Sequence, residues 1–133
     1  MPSVIDRAVK ALPANGLRFE ATPRSLTVPA TTDDAFTVVL EMHGDRDFAV
    51  RGDGWLERFG RAEDAYDCFL FLLSEHGRLK VTMRGQTAVG WQVERREYGL
   101  WVPGHPVRRR LVPIWRRART IWKQNHVFKA ESS

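Results

Sequence analysis

The side chains in this sequence that could do chemistry through their charge are basic and lie near its C-terminal end. Residues 98–133 contain 8 Lys and Arg and 1 Asp or Glu, whereas residues 1–97 contain 13 basic and 15 acidic side chains. The formal net charge of +5 therefore comes entirely from the last quarter of the chain. Basic side chains at this density can neutralise phosphates or carboxylates, and every phosphate contact releases counterions. The charge pattern predicts contact with an acidic protein or with nucleic acid.

Seven side chains are the predicted contact residues for such a partner. Six are basic, and the seventh is a tryptophan on a predicted loop, where its ring can stay partly exposed. Tryptophan and arginine are both enriched at the energetic centres of protein interfaces. The seven residues are Arg108, Arg109, Arg110, Arg116, Arg119, Lys123 and Trp55.

The basic segment has two other interpretations. Its tryptophans could pack into the core and leave the arginines as the solvated face of a helix. It could also lie on a membrane surface, although its apolar stripe is short and the domain's own sheet would cover it. The sequence leaves these interpretations open.

The rest of the sequence contains little that is typical of catalysis or metal binding. His43, Asp45 and Asp47 form a short cluster of metal-ligand types, but it is incomplete, and turn formation explains the aspartates. Cys68 lies in an apolar helical stretch, where burial would raise the pKa of the thiol and make it a poor nucleophile. No G-x-S-x-G, P-loop or dinucleotide-binding motif occurs. We therefore predict no catalytic residue, no metal and no cofactor, and a binding module rather than an enzyme.

A second class of function is a small-molecule enzyme or ligand-binding protein with a pocket between sheet and helix. This hypothesis predicts a cleft with converging polar groups and an ionisable side chain whose pKa is shifted. A third class is an accessory subunit without a ligand, which would show a large apolar patch for self-association. The sequence leaves the oligomeric state open, a homodimer included.

Length and cysteine content predict one domain in a reducing compartment. The 133 residues suit a single domain over 1–133, with the basic segment 103–129 as part of it. Cys68 is alone and cannot form an internal disulfide, and the longest apolar run, 68–73, is far too short to cross a membrane. We predict a cytoplasmic protein.

Hydrophobic periodicity predicts a helix at the start of the chain and another in its middle. Ser3 and Asp6 have the spacing of a capping box, which begins a short N-terminal helix. An apolar stripe with helical spacing predicts a long helix over 61–76, and Gly77 is placed to end it.

The C-terminal segment 111–125 fits a helix or a strand. We predict a helix, because a strand would place Pro113 and Arg117 on the same face as Trp115. Elsewhere, alternating apolar and polar residues predict antiparallel strands joined by short turns. The sequence therefore predicts an α+β fold, with a mainly antiparallel sheet of about five to seven strands packed on one long central helix, and short N-terminal and C-terminal helices.

Overall fold

Two antiparallel β-sheets and two α-helices make up the part of the fold that the structure describes. The structure, a computed structural model, describes residues 3–13, 16–108 and 117–128. The predicted α+β class and the antiparallel pairing are confirmed. The prediction of a single sheet is wrong, because the described strands form separate sheets of five and four strands.

The first sheet is a meander in which each strand pairs with the next along the chain. Leu26, Leu40 and Val50 lie opposite one another on three neighbouring strands, and all three are fully buried. Their burial fixes the register, because a slip by one residue would turn them outward. The strands are β1 (Glu20–Thr22), β2 (Ser25–Val28), β3 (Val38–Gly44), β4 (Asp47–Gly52) and β5 (Trp55–Phe59).

The second sheet is built from the later part of the chain. Its strands are β6 (Gly77–Arg84), β7 (Thr87–Glu97), β8 (Leu100–Arg108) and β9 (Ala118–Lys123). Their order is β8-β7-β6-β9, and all neighbours are antiparallel. The turn after β6 contains Gly85 and the turn after β7 contains Tyr98 and Gly99. All three have positive φ, as tight two-residue hairpins require.

Helix α1 (Val4–Ala11) begins at the predicted capping box, which is confirmed. The Ser3 hydroxyl accepts a hydrogen bond from the backbone N–H of Asp6, and the Asp6 carboxylate accepts one from the backbone N–H of Ser3. Farther along α1, the Arg7 guanidinium pairs with Glu63 and lies over the Tyr66 ring at 4.6 Å from its centroid. These contacts attach α1 to the second helix.

The second helix, α2 (Ala62–Leu73), is shorter than the predicted span 61–76. It ends because Ser74 has an extended backbone and its hydroxyl donates to the carbonyl of Phe71. The sequence predicts that Gly77 caps this helix, and that prediction is wrong. Gly77 is instead the first residue of β6. Neither helix in the described part of the chain is long and apolar enough to cross a membrane.

The predicted C-terminal helix is wrong over Ala118–Lys123, where the chain forms β9. Ile121 packs against the core and Trp122 lies on the opposite side. The side chains here therefore alternate between the two faces every second residue, as in a strand. The edge of β6 offers unpaired backbone donors and acceptors, and pairing with that edge decides between the two patterns. Residues 111–116 lie outside the described residues.

The chain after β9 is fixed to the first half of the molecule by Asn125, which is buried. Its side-chain carbonyl accepts from the backbone N–H of Phe36 at 3.3 Å, and its amide donates to the carbonyl of Leu72 at 3.0 Å. Both ends of the amide are therefore satisfied, one by the segment before β3 and the other by α2. This anchor holds the end of β9 in place.

The turn between β4 and β5 connects the two sheets. Asp53 has φ of 56°, and its carboxylate accepts from Trp91 Nε1 at 2.8 Å and lies 3.9 Å from Lys123 Nζ. A Cβ on the next residue, Gly54, would stand 2.2 Å from the Trp91 ring. Trp55 then begins β5 and is 3% exposed. The prediction that Trp55 is exposed on a loop is wrong, because its ring points into the core.

The contact between Gly54 and Trp91 makes the substitution Gly54→Ala informative. The added methyl group would overlap a ring that is held by Asp53, and overpacking of this kind costs about 1–3 kcal/mol. We expect the free energy of unfolding to fall by about 2 kcal/mol in urea titrations. Gly60→Ala is the matched control, because the nearest atom to a Cβ there is 3.8 Å away. Equal stability of the two variants would contradict the contact.

Candidate functional site

The candidate site is the face of the second sheet that points away from the core. Leu79 and Val81 on β6 are buried, so the side chains that alternate with them point the other way. We call this side the outer face. By register it consists of Arg78, Lys80, Thr82, Gly90, Gln92, Glu94, Arg96, Trp101, Pro106, Arg108, Thr120 and Trp122.

Strand direction gathers further basic side chains at one end of this sheet. Because all neighbours are antiparallel, β6 and β8 end where β7 and β9 begin. Arg84, Arg108, Arg117 and Arg119 therefore share one end of a sheet only about 14 Å wide, which we call the basic end. The segment between β8 and β9 carries Arg109, Arg110 and Arg116, which lie outside the described residues.

Charge in the described chain divides between the two sheets. The described residues up to 76 contain 8 basic and 13 acidic side chains, whereas residues 77–108 and 117–128 contain 9 basic and 2 acidic ones. The first sheet and the helices therefore carry a net negative charge, and the second sheet a net positive one. A surface of one sign attracts partners of the opposite sign over about one Debye length.

Several cations of the second sheet are not neutralised by a neighbouring carboxylate. Arg78 pairs with Glu94, Arg95 pairs with Glu97, and Lys123 approaches Asp53. Five further cations of this sheet form no ion pair with a carboxylate among the described residues. They are Lys80, Arg96, Arg108, Arg117 and Arg119.

A shallow depression lies on the outer face at Gly90. It has a volume of about 60 Å³, and Lys80, Thr82, Gln92 and Arg108 are among its lining residues. Gly90 lines the depression and has no side chain to occupy it, and a Cβ there would be in ordinary contact, 3.6 Å from Thr82 Cβ. Two cations and a hydroxyl around a concave surface can bind an anionic group such as a phosphate.

Next to this depression, two tryptophan rings enclose an arginine. The Arg78 guanidinium carbon lies 4.2 Å from the Trp101 ring centroid and 5.2 Å from that of Trp122. Glu94 Oε1 accepts from Arg78 Nε at 2.6 Å and from Trp122 Nε1 at 3.1 Å. Trp122 is nevertheless 49% exposed. The outer face thus presents an exposed aromatic ring, and the hydrogen bond to Glu94 fixes the orientation of that ring.

The structure separates the four predicted contact residues that it describes. Arg108 and Arg119 are exposed at the basic end, Lys123 lies at the opposite end of β9 beside Asp53, and Trp55 is buried. The other three, Arg109, Arg110 and Arg116, lie outside the described residues. Residues of β6 and β8 that share the outer face were missed. The alternation of basic and apolar residues in 78–84 was the available signal.

The cluster His43, Asp45 and Asp47 does not assemble into a ligand set. His43 Nε2 lies 3.4 Å from Glu41 Oε1, and Asp47 pairs with Arg58 at 3.3 Å. No group of three or more His, Cys, Asp or Glu side chains in the described ranges is placed to hold a metal ion.

A second concave region lies beside α2 and contains Cys68 in its wall. Burial, together with the smaller effect of the nearby Glu57 charge, raises the pKa of the Cys68 thiol from its usual 9.0 to about 12. The thiol is therefore protonated at neutral pH and is a poor nucleophile.

Comparison with protein-family models, with curated proteins and with solved structures finds no match to this chain. Its function is therefore inferred from the chemistry of its own surface.

The shared hydrogen-bond acceptor Glu94 gives a test of how the aromatic surface is held. Glu94→Gln weakens two contacts and leaves Arg78 without its carboxylate, so we expect a loss of about 1–3 kcal/mol in unfolding free energy and altered tryptophan fluorescence. Glu97→Gln removes an exposed pair with Arg95 and should change stability by less than about 1 kcal/mol. Similar losses in both variants would contradict the assigned role of Glu94.

The raised pKa of Cys68 gives a pH-dependent prediction. The folded state holds the thiol proton more tightly than the unfolded chain does, so the stabilisation is complete below about pH 9 and is lost as the pH rises toward 12. Comparison of the wild type with Cys68→Ala isolates this contribution. The stability difference between them should shift by about 1.4 kcal/mol from pH 7 to pH 10, at the expense of the wild type. A difference that does not vary with pH would rule out a buried neutral thiol.

Proposed function

We propose that this chain is a binding module that contacts an anionic macromolecule through the outer face and the basic end of its second sheet. Of the two partner classes predicted from the sequence, an acidic protein and nucleic acid, we propose single-stranded nucleic acid. The observation that carries this choice is the exposed Trp122 ring directly opposite Lys80, a cation that forms no ion pair with a carboxylate in the described chain.

The basic side chains support contact with phosphates. Lys80 and Arg108 flank the depression at Gly90, and the exposed Arg117 and Arg119 lie at the same end of the sheet as Arg108. Proteins that bind single strands without sequence preference combine such a charged track with aromatic platforms. A positive track alone would serve an acidic protein equally well.

The aromatic platform supports nucleic acid over an acidic protein. The Trp122 ring is half exposed, and its Nε1 donates to Glu94, so its orientation is set before a partner arrives. Stacking of a base on an aromatic side chain contributes about 1–3 kcal/mol and is independent of base identity. An extended acidic peptide offers carboxylates but few planar groups for this ring.

The proposal is tested by fluorescence anisotropy with a labelled oligodeoxythymidine of about 12 nucleotides, with polyglutamate of similar charge as the acidic-protein probe. About four phosphate contacts would weaken binding about 50-fold between 50 and 200 mM salt. We expect the oligonucleotide to bind more tightly than polyglutamate. Tighter binding of polyglutamate would instead favour the acidic-protein class. No binding of either probe at 50 mM salt would overturn the proposal.

Variants separate the charge contribution from the stacking contribution. Lys80→Glu combined with Arg108→Glu should abolish binding of both probes. Trp122→Ala should weaken only the oligonucleotide, by about 5- to 150-fold, and Trp122→Phe should restore part of the loss. The matched control is Arg18→Glu combined with Arg24→Glu, two exposed arginines near the start of the first sheet. Equal losses in the control and the Lys80/Arg108 variant would indicate a general charge effect and no site.

A further inference from the structure

The tip of the β7–β8 hairpin carries an aromatic side chain that makes no contact within the described fold. Tyr98 is fully exposed, and it forms no hydrogen bond or ring contact with any described residue. Trp122, the aromatic platform of the outer face, is 49% exposed by comparison. The Tyr98 ring is therefore open to a partner on all sides.

The backbone at the tip makes tyrosine an unfavourable choice for folding. The φ angle is 51° at Tyr98 and 78° at Gly99, and two positive values in succession are typical of a type I′ turn. Glycine, asparagine and aspartate adopt such angles readily, whereas a bulky side chain does so at a cost in free energy. Strained residues of this kind cluster at functional sites. A contact outside the chain therefore explains Tyr98 better than folding does.

The tip continues the outer face of the second sheet. Arg96 and Trp101 lie directly opposite each other on β7 and β8, and the turn with Tyr98 begins two residues after Arg96. Arg96 forms no ion pair with a carboxylate in the described chain. A cation and an exposed ring are thus close together here, as they are where Trp122 lies opposite Lys80.

Trp122 and the tip are far apart on the same sheet. Trp122 is level with Gln92 of β7, because both lie opposite Lys80 of β6. Tyr98 follows Gln92 by six residues, which in a strand corresponds to about 20 Å. Bases stacked at a rise of about 3.4 Å need about six steps to cover this distance. A long single strand can therefore reach both rings, whereas a trinucleotide cannot.

We propose that Tyr98 is a second stacking platform for single-stranded nucleic acid, and that the bound strand runs from the basic end across Trp122 to the hairpin tip. The inference rests on the proposed function, because it names a further contact of the same ligand. Lys80 and Arg96 each lie near one of the two rings, so a phosphate next to either stacked base meets a cation.

The test compares a thymidine trinucleotide with the oligodeoxythymidine of about 12 nucleotides, both binding to the full chain at low salt. Tyr98→Asn should weaken the long oligonucleotide about fivefold to tenfold, because one stacked base is lost. It should leave the trinucleotide unchanged, because that ligand occupies Trp122 and the nearby depression. Equal weakening of both ligands, or no weakening of either, would overturn the proposal.

Thermal unfolding of the same variant separates binding from folding. Asn-Gly is a strongly preferred pair for this turn, so Tyr98→Asn should raise Tm by about 2–4 °C. A variant that folds more stably and yet binds more weakly has lost a contact with the ligand and not its structure. A lower Tm would contradict the strained turn and overturn the argument for Tyr98.

Three further variants distinguish stacking from other contacts. Tyr98→Phe keeps a ring and should retain most of the affinity. Leu100→Ser removes the other exposed apolar side chain of the tip, and Phe19→Asn removes an exposed ring before the first sheet. Both should bind the long oligonucleotide like the wild type. If Leu100→Ser weakened binding as much as Tyr98→Asn, the tip would be a general apolar contact, as for a lipid surface, and the stacking role would be refuted.

Failure of this inference is distinguishable from failure of the proposed function. If the long oligonucleotide binds the wild type and Tyr98→Asn equally, and Trp122→Ala weakens it, then the outer face binds nucleic acid without a second platform and only this inference is overturned. If the wild type binds neither oligonucleotide, both proposals are overturned. Selective loss of the long oligonucleotide in Tyr98→Asn supports both.

Discussion

The arrangement of the two sheets depends on the contact between the β4–β5 turn and Trp91. The Asp53 carboxylate accepts from the indole, and Gly54 allows the ring to lie directly against the backbone. Because that ring belongs to the core-facing side of β7, the contact determines which face of the second sheet is covered. The opposite side is left as the outer face, and the edge strands β5 and β8 are left apart, with the concave region beside α2 between them.

Segregation of charge follows from the same division. The acidic side chains belong mainly to the part of the chain that forms the helices and the first sheet, and the basic ones to the second sheet. The few ion pairs that cross between them, such as Lys123 with Asp53, lie at the junction, where they support packing. Lys80, Arg96, Arg108, Arg117 and Arg119 form no ion pair with a carboxylate in the described chain. They therefore determine the electrostatic field around the second sheet.

Local patterns in the sequence were sufficient for some elements and insufficient for others. The capping box at Ser3 and the alternation in β6 depend on neighbouring residues, so they could be read directly. Strand β9 could not, because its partner β6 lies about 40 residues away and the segment also fits a helical stripe. The burial of Trp55 and the gathering of basic side chains at one sheet end both follow from which strands pair. A single sequence read by local pattern does not show that pairing.

Strand β7 shows how the two sides of the second sheet are kept separate at very short range. Glu94 supports the tryptophans of the outer face, whereas its neighbours Val93 and Arg95 line the concave region beside α2 on the other side. A slip of one residue in the pairing of β7 would exchange these roles. The β7–β8 ladder has an irregularity between Gln92 and Glu94, and the Gln92 amide there donates to the Gly104 carbonyl at 2.7 Å. This hydrogen bond holds β8 in place beside the irregularity. It therefore fixes the pairing register of β7 and β8 at the residues that separate the two faces of the sheet.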